Sequence, residues 1–310
     1  MFSKNLTKYY SNVLDKIPKN VKIIEVGPRD GLQNEKNILC LYKKLELINR
    51  LEKNGLKHIE VGSFVNPKLV PQMADSYQLV SYLKAKPITY SVLVPNLKGF
   101  EQGFFQNSLV TNDGTIPVNE IVLFTAASET FNKKNTNVSI EESFKRFELV
   151  SKEALKKKIS IRGSISCCLG CPYEGSVKTD KIIEIIQRYA DIGAQYIDIA
   201  DTIGVGTPKQ IHEILDKATQ HFSIDRLTGH FHDTSDTALN LVDACLEHGM
   251  SIFHSSVAGL GGCPFSPKRA GNLATEKLIE HLHKRDIYTG IDLNTLKSTS
   301  EWIKEALNKK

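Results

Sequence analysis

No stretch of this sequence is apolar for long enough to cross a bilayer, and no block of lysine and arginine marks a nucleic-acid surface. Basic residues are scattered, with one short run at Lys156, Lys157 and Lys158 and a Lys-Lys C-terminus; the net charge is only +5. That balance argues against nucleic acid and membrane as partners and favours an anionic small substrate. The first fifteen residues lack the apolar core of a secretion signal. They contain Lys4 and Lys8 but no arginine, so a short helical or frayed extension is expected there rather than a mitochondrial transit peptide. No glycine-rich dinucleotide turn follows any strand-like run. Cysteines stand at 40, 167, 168, 171, 245 and 263. Without a secretion signal they read as free thiols of a reducing interior, not as a disulfide framework. The expected location is cytoplasmic, with the mitochondrial matrix as the alternative.

What is present is an ordinary globular composition, 41% hydrophobic and 24% charged over 310 residues. That length suits one large α/β barrel or two smaller domains. Eight short β-rich apolar runs recur, at 21–26, 58–64, 89–94, 120–125, 160–166, 196–200, 227–232 and 252–257. Between them, helical periodicity covers 41–54, 140–157, 181–192 and 236–248. Gly55, Gly193 and Gly249 stand where helices would stop. Eightfold strand–helix alternation predicts an α/β fold, a (β/α)8 TIM barrel, with additional C-terminal helices at 275–284 and 293–307. In the latter, Leu296, Ile303 and Leu307, extended by Trp302, form a stripe that packs on the barrel. The chain divides into an N-terminal extension (1–20), a catalytic barrel (21–285) and a C-terminal helical extension (286–310). A polar, turn-rich insertion at 106–118 reads as a surface loop.

A barrel of this kind carries its active site at the C-terminal ends of its strands, and polar residues collect there. The key stretch is LTGHFHD (227–233). On a strand, His230 and His232 face one side and Phe231 the other. Two imidazoles followed by Asp233 form either half of a divalent-metal site or a pair of satisfied strand-end histidines. Other strand ends supply Arg29 and Asp30, Glu60 and Ser63, Cys167 and Cys168, Asp201 and Thr202, and the run from Gly259 to Cys263 followed by Asn272. Cys168 and Cys171 have CxxC spacing, open to a zinc or redox reading. No second such pair lies nearby, so these thiols, like Cys40 and Cys245, read as pocket or packing residues.

The motifs EVGPRDGLQNE (25–35), VGSFVNPKLVPQMAD (61–75), GCPYEG (170–175), DTIGVGTP (201–208), HFHDT (230–234) and SVAGLGGCPF with GNLATE (256–276) resemble the 3-hydroxy-3-methylglutaryl-CoA lyase family. The resemblance runs from about residue 20 to about 285 and reaches every strand end. It implies a pyruvate carboxyltransferase-like barrel and cleavage of a 3-hydroxyacyl thioester to acetyl-CoA and acetoacetate, in leucine degradation and ketone-body formation. It also implies a Mg2+ or Mn2+ cofactor, an acyl-CoA substrate and a homodimer. By the same resemblance Asp30, His230, His232 and Asn272 are metal ligands. Arg29, Cys263, His230, Glu60 and Asp201 are catalytic, with Arg29 holding the thioester oxygen and Cys263 delivering a proton. Glu60 and Asp201 orient ligands or assist the base, and Gln33, Lys36 and Ser63 join Arg29 in binding substrate. A related 3-hydroxyacyl-CoA, or a synthase condensing acetyl-CoA with a 2-oxo acid, is the alternative; a non-catalytic acyl-CoA-binding relative is the remaining one. The sequence departs from the family pattern at 198–200 (Asp-Ile-Ala), 235–237 (Ser-Asp-Thr), and Lys268 and Arg269. The charge at Asp198, unless paired, would disfavour a second substrate carboxylate.

Overall fold

The structure is a computed structural model that describes residues 17–106, 117–262 and 271–308. Eight parallel strands close into a barrel in sequence order. They are β1 (Lys22–Glu25), β2 (His58–Ser63), β3 (Thr89–Leu93), β4 (Val118–Ala126), β5 (Ser160–Ser166), β6 (Tyr196–Asp201), β7 (Leu227–Phe231) and β8 (Ile252–Ser255). The helices that wrap it are α1 (Leu41–Lys53), α2 (Ser76–Tyr82), α3 (Leu97–Glu101), α4 (Glu129–Thr136), α5 (Ile140–Lys156), α6 (Thr179–Asp191), α7 (Pro208–Ala218), α8 (Ala238–Glu247), α9 (Thr275–His283) and α10 (Leu293–Ala306).

Expected and observed boundaries differ where backbone hydrogen bonds are diverted. The seventh strand stops at Phe231, because His232 bridges to Asn272 instead of continuing beside β8. The eighth stops at Ser255, after which the chain tightens into a 3-10 turn at Val257–Gly259. Helix α7 has the sequence signature of a capping box: Thr207 and Gln210 cap each other around Pro208 at the first helical position. Gly55, Gly193 and Gly249 have φ of +102°, +88° and +86°, the left-handed turn that ends a helix without a Cβ clash. Helix α10 buries Leu296 and Ile303, and Leu307 is buried just past its end, while Trp302 is half-buried under Lys43 and Arg50, which lie 5.1 and 4.5 Å from its ring centre. Cys40, read as a packing residue, is exposed; Cys245, Cys167, Cys168 and Cys171 are buried and unbridged.

The apolar core lies between the strands and the helices, where the branched residues of each strand's outer face meet Ile, Leu and Phe of the helical stripes. The inside of the barrel differs from the usual layers of branched aliphatics. Arg162 of β5 is fully buried there. Its Nη2 donates to Glu60 Oε2 (2.6 Å), its Nε to Glu120 Oε1 (3.0 Å) and its Nη1 to Asp198 Oδ2 (2.7 Å). His58 Nε2 lies 2.7 Å from Glu120. Burial alone would push Arg162 toward losing its proton, but the three carboxylates outweigh it and hold the guanidinium charged. The same pairing overrides burial at Asp198, whose pKa is held below the usual carboxylate range by Arg162 and then His254. The expected penalty of Asp198 against a second substrate carboxylate is thereby removed: its charge is spent inside the barrel.

A buried guanidinium with three carboxylate partners cannot be truncated without leaving uncompensated charge. Arg162→Met is expected to destabilise the fold by about 3–5 kcal/mol. Chemical denaturation checks this, and a loss under 1 kcal/mol would show that the network is not load-carrying for stability.

Candidate active site

Strand β1 ends against a single wide turn, Gly27–Gly31, in which the amides of Arg29 and Gly31 both donate to Val26 O (3.2 and 3.1 Å). The turn projects Arg29 and Asp30 into the barrel mouth. Opposite them, Thr228 and His230 on β7 and His232 just beyond its end follow one another at alternate positions and line the same side. The Asp30 carboxylate and one ring nitrogen from each of His230 and His232 all lie within 4.8 Å of one another, the only such group of three among the described residues. His230 presents Nε2 to this group, 4.0 Å from Asp30 Oδ2. Asn272 closes it, its Nδ2 donating to Asp30 Oδ2 (2.7 Å) and to Leu260 O (3.1 Å). The four residues assigned as ligands are thus together. Asn272 can come this close because Gly261 (φ +110°) has no side chain: a Cβ there would sit 2.6 Å from Asn272 Nδ2.

The donor set fits a divalent cation. Burial lowers the pKa of both histidines, so both imidazoles are neutral at pH 7 and each has an unprotonated ring nitrogen to offer a cation. Burial would raise Asp30, but Arg29, then His230 and His232, outweigh it and keep the carboxylate ionised. His232 Nδ1 is buried with no hydrogen-bond partner, an orphaned polar atom at the edge of a carboxylate–imidazole cluster.

The remaining candidates divide. Arg29 Nε donates to Glu60 Oε1, and its Nη1 to Asp30 Oδ1 (3.0 Å) and Gln33 Oε1 (3.5 Å). Glu60 is therefore held between two guanidiniums, those of Arg29 and Arg162. Asp201 accepts the amides of Val205 (3.2 Å) and Gly206 (2.7 Å), fixing the loop after β6, and burial raises its pKa. Ser63 is buried; its amide donates to Ser76 Oγ (3.1 Å) and its hydroxyl has no partner. Lys36 is exposed. Cys263, Lys268 and Arg269 lie outside the described residues, as does most of the 106–118 insertion. Asp236 is exposed and paired with Lys277, which also takes Asp233 (2.7 Å). The CxxC thiols are occupied locally: Cys168 donates to Ile165 O (3.1 Å), and Cys171 donates to Ser128 Oγ (3.0 Å) while its sulfur accepts the amides of Tyr173 and Glu174.

This arrangement matches known proteins along its length. The model of the HMGL-like family covers residues 20–303. The chain belongs to that family. It is 46% identical over 295 residues to human "Hydroxymethylglutaryl-CoA lyase, mitochondrial", covering 95% of this chain and 88% of that one. It is 43% identical over 298 residues to zebrafish "3-hydroxy-3-methylglutaryl-CoA lyase, cytoplasmic", covering 96% and 86%. Among solved structures, an HMG-CoA lyase from Acinetobacter baumannii in complex with coenzyme A and 3-methylmalate superposes with a TM-score of 0.86 at 33% identity, covering 94% of this chain and 92% of that one.

Sequence reasoning missed Glu25. It is fully buried at the end of β1. Its Oε1 accepts the amides of Gly27 and Val257 (both 2.8 Å) and its Oε2 the hydroxyl of Thr275 (2.6 Å). One carboxylate thus ties the Arg29–Asp30 turn to the start of the glycine loop and to the helix that follows Asn272. The signal was a charged residue inside an otherwise apolar strand.

Burial raises the Glu25 pKa from 4.5 to about 7, and the three donors reverse only part of that. An acid with a raised folded pKa binds its proton more tightly when folded. Its contribution to stability is therefore greatest below pH 4.5 and declines as pH rises through about 7. The decline is on the order of 3 kcal/mol. Glu25→Gln should remove this component from the plot of unfolding free energy against pH, and superimposable slopes for the two proteins would refute it.

Proposed function

We propose that this protein is a divalent-metal-dependent carbon–carbon lyase that cleaves 3-hydroxy-3-methylglutaryl-CoA to acetyl-CoA and acetoacetate, the chemistry of leucine degradation and ketone-body formation. The observation that carries the proposal is the convergence of Asp30, His230, His232 and Asn272 with Arg29 at the mouth of an HMGL-like barrel. Asp30, His230, His232 and Asn272 would hold Mg2+ or Mn2+, which when bound supplies Lewis acidity that makes the substrate hydroxyl easier to deprotonate.

The rest is work for the chain's own side chains. Asp201, its pKa raised by burial, assists removal of the hydroxyl proton. As the carbon–carbon bond breaks, its electron pair moves to the carbon next to the thioester and the former carbinol becomes the ketone of acetoacetate. Arg29 meets the charge that develops on the thioester oxygen. Its Nε and Nη1 are fixed by Glu60, Asp30 and Gln33, which leaves Nη2 for the substrate. Cys263, next to Gly262 in the glycine loop, protonates the enolate carbon. Ser63, Gln33 and Lys36 complete the substrate contacts, Lys36 toward the CoA phosphates. The coenzyme A bound to the Acinetobacter relative supports an acyl-CoA substrate here. A homodimer belongs to the same proposal. So does a reducing compartment: the cytoplasm, as in the zebrafish relative's name, or the mitochondrial matrix, on the human relative's name.

A coupled assay for acetyl-CoA and acetoacetate, with Mg2+ or Mn2+ and a thiol reductant, should register both products and lose them on adding EDTA. Metal-loaded protein that releases neither product would overturn the substrate assignment. Arg29→Gln should reduce kcat about a hundred- to a thousandfold, the scale of one lost oxyanion donor. A kcat within threefold of the parent protein would remove Arg29 from the role.

A further inference from the structure

His230 does not stand alone behind the cluster. Its Nδ1 lies 3.3 Å from Nδ1 of His254 on β8, a buried residue to which no role has been assigned so far. The two are cross-strand partners in the β7–β8 pairing, and their rings meet edge to face with centres 5.3 Å apart. On its other side His254 Nε2 lies 3.2 Å from Thr228 Oγ1 and 3.4 Å from Asp198 Oδ1, while the Thr228 hydroxyl donates to Asp198 Oδ1 at 2.7 Å.

With both imidazoles uncharged, the state that suits His254 against the Arg162 guanidinium, these contacts leave one consistent placement of protons. Asp198 is ionised and can only accept. Thr228 has spent its hydroxyl hydrogen on Asp198, so toward His254 it also accepts. Nε2 of His254 must therefore be the nitrogen that carries hydrogen. In a neutral imidazole Nδ1 is then bare. Arg162 Nη1 lies 3.4 Å from each His254 nitrogen, a long contact divided between the two, and makes its short bond to Asp198 at 2.7 Å. The bare Nδ1 of His254 accepts from Nδ1–H of His230, which leaves Nε2 of His230 bare. That is the nitrogen facing Asp30.

We propose that His254, set by Asp198 and Thr228, is a positioning residue that locks His230 in the Nδ1–H tautomer and so presents an Nε2 lone pair to the cation site before any ligand arrives. The inference rests on reading Asp30, His230 and His232 as that site. It also gives Asp198, a departure from the family pattern, a task at the site although it never reaches the pocket. His232 has no such partner, since its Nδ1 is unpaired. The lock therefore acts on one of the two imidazoles.

The test is long-range 1H–15N correlation of the histidine rings in metal-free, 15N-labelled protein at mildly alkaline pH, with His230 assigned by its loss in His230→Gln. The expected spectrum has a protonated Nδ1 and a bare Nε2 for His230. His254→Phe, which removes the acceptor, should give His230 as a mixture of tautomers and weaken Mn2+ binding by calorimetry about 10- to 100-fold. His254→Asn, whose carbonyl can accept from His230 while its amide donates toward Asp198, should restore the single tautomer and most of the affinity. An Nε2–H or mixed His230 in the parent protein overturns the proposal without recourse to any variant. Equal loss of Mn2+ affinity in the Phe and Asn variants overturns it too, by reducing His254 to packing. Parent protein with the expected tautomer but no Mn2+ binding supports the lock and overturns the metal reading instead, so the two failures are distinguishable.

Discussion

The structure depends on one buried cation. Arg162 occupies the middle of the barrel, where aliphatic layers would ordinarily sit, and gathers carboxylates from β2, β4 and β6. Desolvating four charges together is costly, and the gain in attraction roughly offsets it. What the arrangement secures is geometry. Glu60 cannot turn away from Arg162, and so it holds Arg29 by its other oxygen. Asp198 cannot turn away either, and so it fixes Thr228 and His254. Two features at the mouth, a guanidinium on the turn after β1 and an imidazole on β7, are aimed from the same interior group.

A second constraint works from outside the cavity. Glu25 binds two backbone amides and a hydroxyl drawn from three separate segments. Those segments carry the Asp30 turn, the glycine loop and the approach to Asn272. Residues far apart in sequence are brought to one place by these backbone ties as much as by the strands, which is why Asn272 follows a loop rather than ending a strand.

The barrel was legible because its signals are local and repeated: period-two apolar runs, period-3.6 stripes, and glycines at helix ends. His230 and His232 were legible for the same reason, as alternate residues of one strand. The convergence of Asp30 and Asn272 on the histidines was legible only through resemblance, since nothing local to PRD or GNL points there. The interior network was not legible. Its members sit one or two to a strand, and each looks like an isolated polar intrusion until closure of the sheet brings Glu60, Glu120, Arg162 and Asp198 to one height. Asp198 shows the difficulty well. Read along the chain it is a surplus negative charge beside the pocket; in three dimensions it is neutralised by a residue 36 positions away. Register and closure carry that information, and neither is written in any single segment.

The charged interior also shapes how this sequence can change. An aliphatic barrel layer tolerates exchange one residue at a time, because volume is nearly all that must be kept. Here five strands share one set of protons and charges, so an exchange at 60, 120, 162, 198 or 254 alters what the others must supply. Such sites are strongly coupled, and their effects do not add. A library that randomises one strand at a time will find almost nothing acceptable at these positions. One that varies them jointly can cross to other self-consistent sets, so the route through sequence space runs by simultaneous rather than successive steps.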